Sequence, residues 1–247
     1  MTDSTRAAPV LTTGRPLDDR GDPRPGPALE LDREGPSARL LRESPHALVS
    51  SPGADTWATL LERPTDGATD RPGPAVDHDR PVLVQWLGPD APEPPAHVHP
   101  TTETFEAVEG TLTVEVDGRT RRLPPGESAT VDAGVEHTFR NATGGTVAFR
   151  AELPSMRTVA SLYTVWALDH EGAFGGDGEY GRPGLLHALP VSEDVYPDTE
   201  TAVAPVTVQR ALWATVGRLA RSLGYTGIDE AYLADAFWER RVEQPPL

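Results

Sequence analysis

Apolar and polar positions alternate with a period of two over residues 81–152, which predicts a series of short β-strands. In the first of them, Val82, Val84 and Trp86 alternate with Leu83, Gln85 and Leu87. Strands are predicted at residues 56–61, 82–87, 97–99, 103–108, 111–116, 119–123, 128–131, 137–140 and 146–152. No helical pattern separates those beyond residue 81. An all-β core, closed as a small antiparallel barrel or sandwich, buries one face of each strand and protects the edges.

Turn residues punctuate this series. Asp117-Gly118 is the strongest hairpin signal, because both residues tolerate the positive φ angles of a tight two-residue turn. Glu109-Gly110 and the run from Asp132 to Gly134 mark further turns. These positions fix where consecutive strands reverse direction.

The flanks follow different patterns. Residues 1–45 are rich in Pro, Gly, Asp and Arg with few apolar positions, so we expect a mostly disordered leader. Residues 46–155 form the predicted β-domain, in which residues 64–81 are a long loop. Residues 156–247 form a predicted helical extension that packs on the barrel or on a partner subunit. Its helices are predicted from Met156 to Ala167, over 206–223 and over 229–242, with a glycine-rich loop at 172–184.

Composition excludes several classes of function. The formal net charge is -16 and all 22 basic residues are arginine, which argues against nucleic-acid and anionic-membrane partners. The chain has no cysteine, so it has neither disulfides nor thiolate ligands. No signal-peptide core or membrane-length apolar run is present, and we expect a cytoplasmic protein.

Three histidines and one glutamate are the candidate metal ligands. On a strand, His97 and His99 point to the same side, and Glu103 follows after a short connection. His137 begins a later strand. This mixture of imidazole and carboxylate suits a first-row divalent metal better than calcium or magnesium.

Aromatic side chains are expected to line a pocket beside these ligands. By strand parity, Trp86, Phe105, Phe139 and Phe149 face inward and give an apolar pocket with a polar floor. Glu106 has the opposite parity to Glu103 and is interpreted as a surface carboxylate. Of the remaining histidines, His46, His78 and His170 are expected to be solvated, and His187 is left open.

Two spaced motifs in this region resemble a known family. The first reads His-x-His, three residues, Glu103, six residues, Gly110; the second reads Gly126, five residues, Asp132-Ala133-Gly134, two residues, His137, three residues, Asn141. They resemble the two motifs of the cupin superfamily, with one departure: Asp132 replaces a turn proline. The resemblance is strong over residues 81–152 and weak in the flanks.

The resemblance implies a β-barrel of the cupin or jelly-roll type that binds one divalent metal through His97, His99, Glu103 and His137. Iron, manganese, nickel, copper and zinc all remain open as the native ion. The motif glycines would permit tight turns, and Asn141 would cap a turn through its side chain. The alternative of a metal-free cupin is disfavoured because all four ligands are present. A homodimer is expected from the resemblance and from the apolar helices.

The resemblance also implies enzymatic activity. Our first hypothesis is a quercetinase-like, metal-dependent dioxygenase acting on a small aromatic or enediol substrate, with Glu103 as a base. The second is a sugar isomerase or epimerase, for which Arg140 and Arg150 are the nearest basic residues, although parity turns both outward. The third is a non-catalytic module that binds a small molecule. A DNA-binding form of this module would have to contact DNA through the helix that carries Arg210 and Arg218. The net negative charge of the chain argues against it.

Overall fold

A six-stranded antiparallel sheet forms one wall of the core. The computed structural model describes residues 10–64, 80–175 and 180–246. The sheet has the order β10-β7-β12-β5-β4-β3. Its strands are β3 (Val49–Ser51), β4 (Thr56–Glu62), β5 (Val82–Leu87), β7 (Glu103–Glu109), β10 (Ser128–Val131) and β12 (Val147–Glu152).

A five-stranded antiparallel sheet faces it, in the order β13-β6-β11-β8-β9. Its strands are β6 (His97–Val98), β8 (Leu112–Val116), β9 (Arg119–Leu123), β11 (His137–Asn141) and β13 (Glu200–Thr201). Aromatic rings connect the inner faces of the two sheets. The ring centroid of Phe139 on β11 lies 5.5 Å from that of Phe105 on β7 and 5.1 Å from that of Phe149 on β12. The predicted antiparallel β-core is therefore confirmed.

The predicted hairpin turn between β8 and β9 is present. Asp117 has φ 49° and Gly118 has φ 69°, both in the left-handed region that this turn requires. Asn141 caps its turn as expected, because its Oδ1 accepts hydrogen bonds from the backbone N–H and the hydroxyl of Thr143 at 2.8 and 2.7 Å. The strand bounds within residues 82–152 agree with the sequence pattern to within one residue, and β6 ends at Val98, one residue before His99.

The N-terminal segment differs from the expected disordered leader over residues 10–45. It contains β1 (Val10–Thr13), β2 (Leu29–Asp32) and α1 (Pro36–Glu43), and Leu29 and Ala38 are fully buried. Its order comes from distant partners: the guanidinium of Arg15 donates two hydrogen bonds of 2.7 Å to the Glu243 carboxylate. Residues 1–9 and most of the predicted loop at 64–81 lie outside the described residues.

The C-terminal part is helical, as predicted, with one additional helix. Helix α2 (Met156–His170) begins at Ser155, whose hydroxyl accepts backbone N–H bonds. The predicted 206–223 helix is α4 (Val206–Leu212), a π-helical turn (Trp213–Gly217) and α5 (Arg218–Ser222) in succession. The last predicted helix is a 3-10 turn (Glu230–Leu233) followed by α6 (Asp235–Arg241). Helix α3 (Leu185–Val195), which contains Pro190, was not predicted.

The helical part also contributes to the smaller sheet. Strand β13 pairs with β6, with Glu200 opposite Val98 and Thr201 opposite His97. The C-terminal part thus lies directly beside the histidine-bearing strand. Within the described ranges, none of the helices combines the length and apolar character that a bilayer crossing requires.

Candidate metal centre and adjoining cavity

Strand pairing between the two sheets positions the candidate ligands. His97 on β6 lies directly opposite His137 on β11. His99 follows two residues after His97, and Glu103 begins β7 in the six-stranded sheet. The four side chains therefore meet between the sheets, at one end of the core.

The ligand atoms converge on a common point. One atom from each of His97, His99, Glu103 and His137 lies within 4.8 Å of all the others, the only such group of three or more among the described residues. Nε2 of His137 lies 2.6 Å and Nε2 of His99 lies 3.3 Å from Oε2 of Glu103. With metal–ligand bonds of about 2.0–2.2 Å, opposite ligands lie about 4.2 Å apart, so small side-chain adjustments accommodate one ion.

Backbone carbonyls fix the tautomer of all three imidazoles. Nδ1 of His97 donates to the carbonyl of Pro95 at 2.8 Å, and Nδ1 of His137 donates to that of Val135 at 2.9 Å. Nδ1 of His99 donates to the carbonyl of Asp198 at 2.8 Å. Because Nδ1 carries the proton, the neutral form of each imidazole would turn an unprotonated Nε2 toward the shared centre, which is the arrangement that orients histidine ligands around metals.

The surroundings of Nε2 of His99 show whether the four candidate ligands fit a metal ion. It is fully buried and makes no hydrogen bond of acceptable geometry, even though Glu103 is close. A buried acceptor without a donor is costly. A divalent cation at the centre satisfies this lone pair together with the other two imidazoles and the carboxylate, so the residues present fit the ion.

Burial and mutual charge shift the pKa values of these groups. Burial alone would raise the pKa of Glu103, but the hydrogen bond with His137 and the charge interactions with His99 and His97 lower it to about 2. Burial lowers the pKa of His97 to about 4. Burial also opposes protonation of His137, yet its hydrogen bond to Glu103 raises the pKa of the imidazole. The carboxylate and His97 are thus in their metal-binding forms at neutral pH.

An apolar cavity of about 410 Å³ adjoins the candidate metal centre, and His97, His99 and Glu103 are among its lining residues. Phe105, Phe139 and Phe149 line it, as the sequence pattern indicated. Trp86 does not; it is fully buried on the other parity of β5, and Gln85 lines the cavity instead. Both faces of β5 are buried, so apolar character alone could not identify the face that meets the cavity.

The C-terminal helices supply the far wall of the cavity. Leu162, Val165 and Trp166 come from α2, and Ala188 and Val191 come from α3. The sequence does not reveal this role, because the helical period shows which residues are buried but not what they cover. The pocket is therefore shared between the β-core and the extension.

The cavity is lined without any arginine among the described residues. Arg140 pairs with Glu93 and Glu115 at 3.4 and 3.8 Å, and Arg150 pairs with Glu106 at 3.8 Å. These arginines are partly exposed, so they balance surface acids, and Glu106 lies outside the site as expected. An anionic ligand would find no complementary basic side chain there.

The other histidines have structural contacts. Nδ1 of His46 lies 3.0 Å from Oδ2 of Asp235. The His187 ring packs edge-on against the rings of Phe174 and Tyr225. The expectation that His170 is solvated is incorrect: it is 8% exposed, and its Nε2 donates to the Ser50 carbonyl at 3.1 Å. His78 lies outside the described residues.

Comparison with known proteins finds one matching family. The Cupin domain family model (Cupin_2) matches residues 83–151. No curated protein matches the chain significantly.

Several solved structures are similar to part of this chain. The polyketide cyclase RemF from Streptomyces resistomycificus is 23% identical, with 45% of this chain and 73% of that chain covered and a TM-score of 0.33. The Cupin_2 domain of an XRE family transcriptional regulator from Enterobacter cloacae is 21% identical, covering 39% and 93%, with a TM-score of 0.31. A chain from the structures of the DMSP lyases RdDddP and RnDddQII is 18% identical, with a TM-score of 0.29.

These matches leave much of the molecule uncovered. The matched region is 39% of this chain and only 45% of the DMSP lyase chain. The N-terminal elements and the helices that close the cavity lie outside residues 83–151, whereas all four candidate ligands lie inside them. Residues 83–151 therefore match the Cupin domain family, and this match includes the whole candidate metal centre.

Proposed function

We propose that this protein is a metal-dependent oxidoreductase of the dioxygenase type that acts on a small aromatic or enediol substrate. The observation that carries the proposal is the convergence of three oriented imidazoles and one carboxylate on the wall of an apolar cavity. Four protein ligands leave one or two positions on a five- or six-coordinate ion, the property that separates catalytic from closed structural sites.

A bound first-row divalent ion would supply Lewis acidity and a meeting point for dioxygen and an electron-rich substrate. His97, His99, Glu103 and His137 would hold it, with Nδ1 of each histidine anchored on a backbone carbonyl. On leaving the ion, the Glu103 carboxylate would be the base that accepts a substrate hydroxyl proton. The phenylalanine rings exclude water and pack against a flat substrate.

The cavity wall favours this reaction over sugar isomerisation or epimerisation. Sugar and sugar-phosphate substrates need several hydrogen-bonding and basic groups, whereas this wall is mostly apolar and lacks arginine among the described residues. Burying a charged or polyhydroxylated ligand there without partners would be unfavourable. A neutral aromatic or enediol ligand meets the wall with matching apolar surface.

Oxygen consumption tests the proposal. The protein is reconstituted without oxygen with Fe²⁺, Mn²⁺, Ni²⁺ or Cu²⁺, and uptake is measured on adding flavonols, catechols, enediols or diketones, with ¹⁸O₂ to detect incorporation. We expect uptake with at least one metal and substrate, and its loss in Glu103→Gln. Glu106→Gln is the matched control, because it alters a surface acid on the same strand.

Absence of uptake across this panel contradicts dioxygenase chemistry. Metal-dependent binding of the same compounds without turnover would instead indicate a non-catalytic binding module.

A further inference from the structure

Gln85 provides a polar group in the apolar wall, away from the metal ligands. It lies in the middle of β5, is 8% exposed, and is the one amide side chain among the described residues that line the cavity. A buried amide in such a wall needs partners for both its donor and its acceptor.

Hydrogen bonding to Thr56 fixes the orientation of this amide. The Thr56 hydroxyl donates its single hydrogen to the carbonyl of Trp86 at 3.0 Å. The Thr56 hydroxyl oxygen must therefore accept its hydrogen bond from Gln85, at 3.2 Å. The Gln85 atom that faces it is Nε2, because only the nitrogen of the amide can donate. Oε1 is on the other arm of the amide and accepts no hydrogen bond from the described residues, so it is available to a ligand in the cavity.

Two other hydroxyls that line the cavity also donate their single hydrogen to groups within the protein. The Ser161 hydroxyl donates to the Thr158 carbonyl at 2.8 Å, and the Ser192 hydroxyl donates to the Leu189 carbonyl at 3.0 Å. Both can accept further hydrogen bonds but have no hydrogen left to donate. These two serines and Gln85 therefore offer acceptors, which match ligand groups that donate.

Strand register gives the separation between Gln85 and the metal ligands. Gln85 is opposite Phe149 on β12, and Phe149 is opposite Ala107 on β7. Ala107 lies four residues beyond Glu103 on the same strand, which corresponds to about 13 Å along the sheet. A ligand that reaches both places must be elongated, and the phenylalanine rings between them favour a flat one.

We propose that Gln85 Oε1 accepts a hydrogen bond from a hydroxyl at the end of the ligand remote from the metal, so that the ligand is an elongated, neutral hydroxyaromatic molecule. This inference rests on the proposed function, which places the chelating end of the ligand at the four metal ligands. It narrows the substrate class to molecules with chelating oxygens at one end and a phenol at the other.

Three flavones that differ only at the distal ring test this contact. The probes are 3-hydroxyflavone, 3,4′-dihydroxyflavone and 3-hydroxy-4′-methoxyflavone, titrated by fluorescence against Zn²⁺-loaded protein, because zinc has no redox chemistry. We expect the dissociation constant of 3,4′-dihydroxyflavone to be about three- to tenfold lower than that of 3-hydroxyflavone. The methoxy group accepts but cannot donate, so it should give no gain.

Two variants separate the contact from general damage to the fold. In Gln85→Leu the affinity ratio between the dihydroxy and monohydroxy flavones should fall to about one. Gln85→Glu keeps an acceptor at this position and should retain the preference. Equal affinities in the wild type, a gain from the methoxy group, or a preference that survives in Gln85→Leu overturns the inference.

Failure of this inference is distinguishable from failure of the proposed function. Absence of binding by all three flavones overturns the hydroxyaromatic class, while oxygen uptake with small enediols or diketones would still support the oxidoreductase. Conversely, a Gln85-dependent preference without any oxygen uptake retains the contact and contradicts the dioxygenase.

Discussion

Nε2 of His137 lies 2.6 Å from Oε2 of Glu103, although the two residues are 34 positions apart and belong to different sheets. The carboxylate stays ionised through its lowered pKa, and it raises the pKa of the imidazole. The same two atoms are candidate metal ligands. Proton and metal therefore compete for His137.

Metal affinity should fall as the pH is lowered toward 6. Because the pKa of His137 is raised, an added ion must displace a proton, and affinity drops up to tenfold per pH unit below that pKa. Glu103 and His97 do not contribute, since their pKa values are lowered to about 2 and about 4. Zn²⁺ or Co²⁺ titrations at pH 6, 7 and 8 measure this, and a constant affinity would contradict it.

Replacing Asp198 should weaken metal binding, because its side chain anchors the part of the C-terminal extension that contacts His99. Its carbonyl accepts from Nδ1 of His99, and its carboxylate accepts from the Ser155 hydroxyl at 2.8 Å, which anchors the segment. Asp198→Ala frees this segment, so we expect roughly tenfold lower affinity for Co²⁺. Asp229→Ala is the control, because Asp229 caps a different helical turn. Equal affinities in the two variants would show that the anchor does not matter.

Filling the cavity should block ligands without removing the metal. Ala188 lines the far wall on α3, so Ala188→Trp places a bulky side chain opposite the β-core. We expect flavone affinity to fall by about tenfold or more, with unchanged metal stoichiometry. Fluorescence titration and metal analysis on the same sample check both. Undiminished binding would place the ligand elsewhere.

His170 should make the fold sensitive to mild acid. Burial lowers its pKa to about 4, whereas the unfolded chain protonates near 6.5. The unfolded state therefore binds more protons between these values, and stability is lost as the pH falls through this window, by about 2 kcal/mol at pH 5. Urea unfolding at pH 7 and 5 should show a smaller loss in His170→Gln. The partly exposed His46 provides the comparison variant, His46→Gln, which should behave like wild type.

The β-core was predictable because its signals are local. The period-two pattern and the Asp117-Gly118 turn depend on neighbouring residues. The candidate ligand set was implied by the resemblance of two spaced motifs to a known family. By contrast, the burial of Leu29 depends on contacts with distant parts of the chain, and its surroundings in sequence resemble a disordered segment.

The site contains features that no local pattern carries. Trp86 and Gln85 are neighbours on a strand buried on both faces, so parity could not assign the cavity side. The contact between His99 and Asp198 spans 99 residues. Only the three-dimensional arrangement shows that the C-terminal extension closes the pocket and contacts the candidate ligand His99.

Metal stoichiometry most directly tests whether His97, His99, Glu103 and His137 bind a single divalent ion. Protein purified without added metal is analysed by mass spectrometry for elements and then titrated with Co²⁺, for wild type, His137→Ala and the surface control Glu106→Gln. We expect about one ion per chain in wild type and control and loss of the bound ion in His137→Ala. One tightly bound ion per chain in His137→Ala would contradict the site.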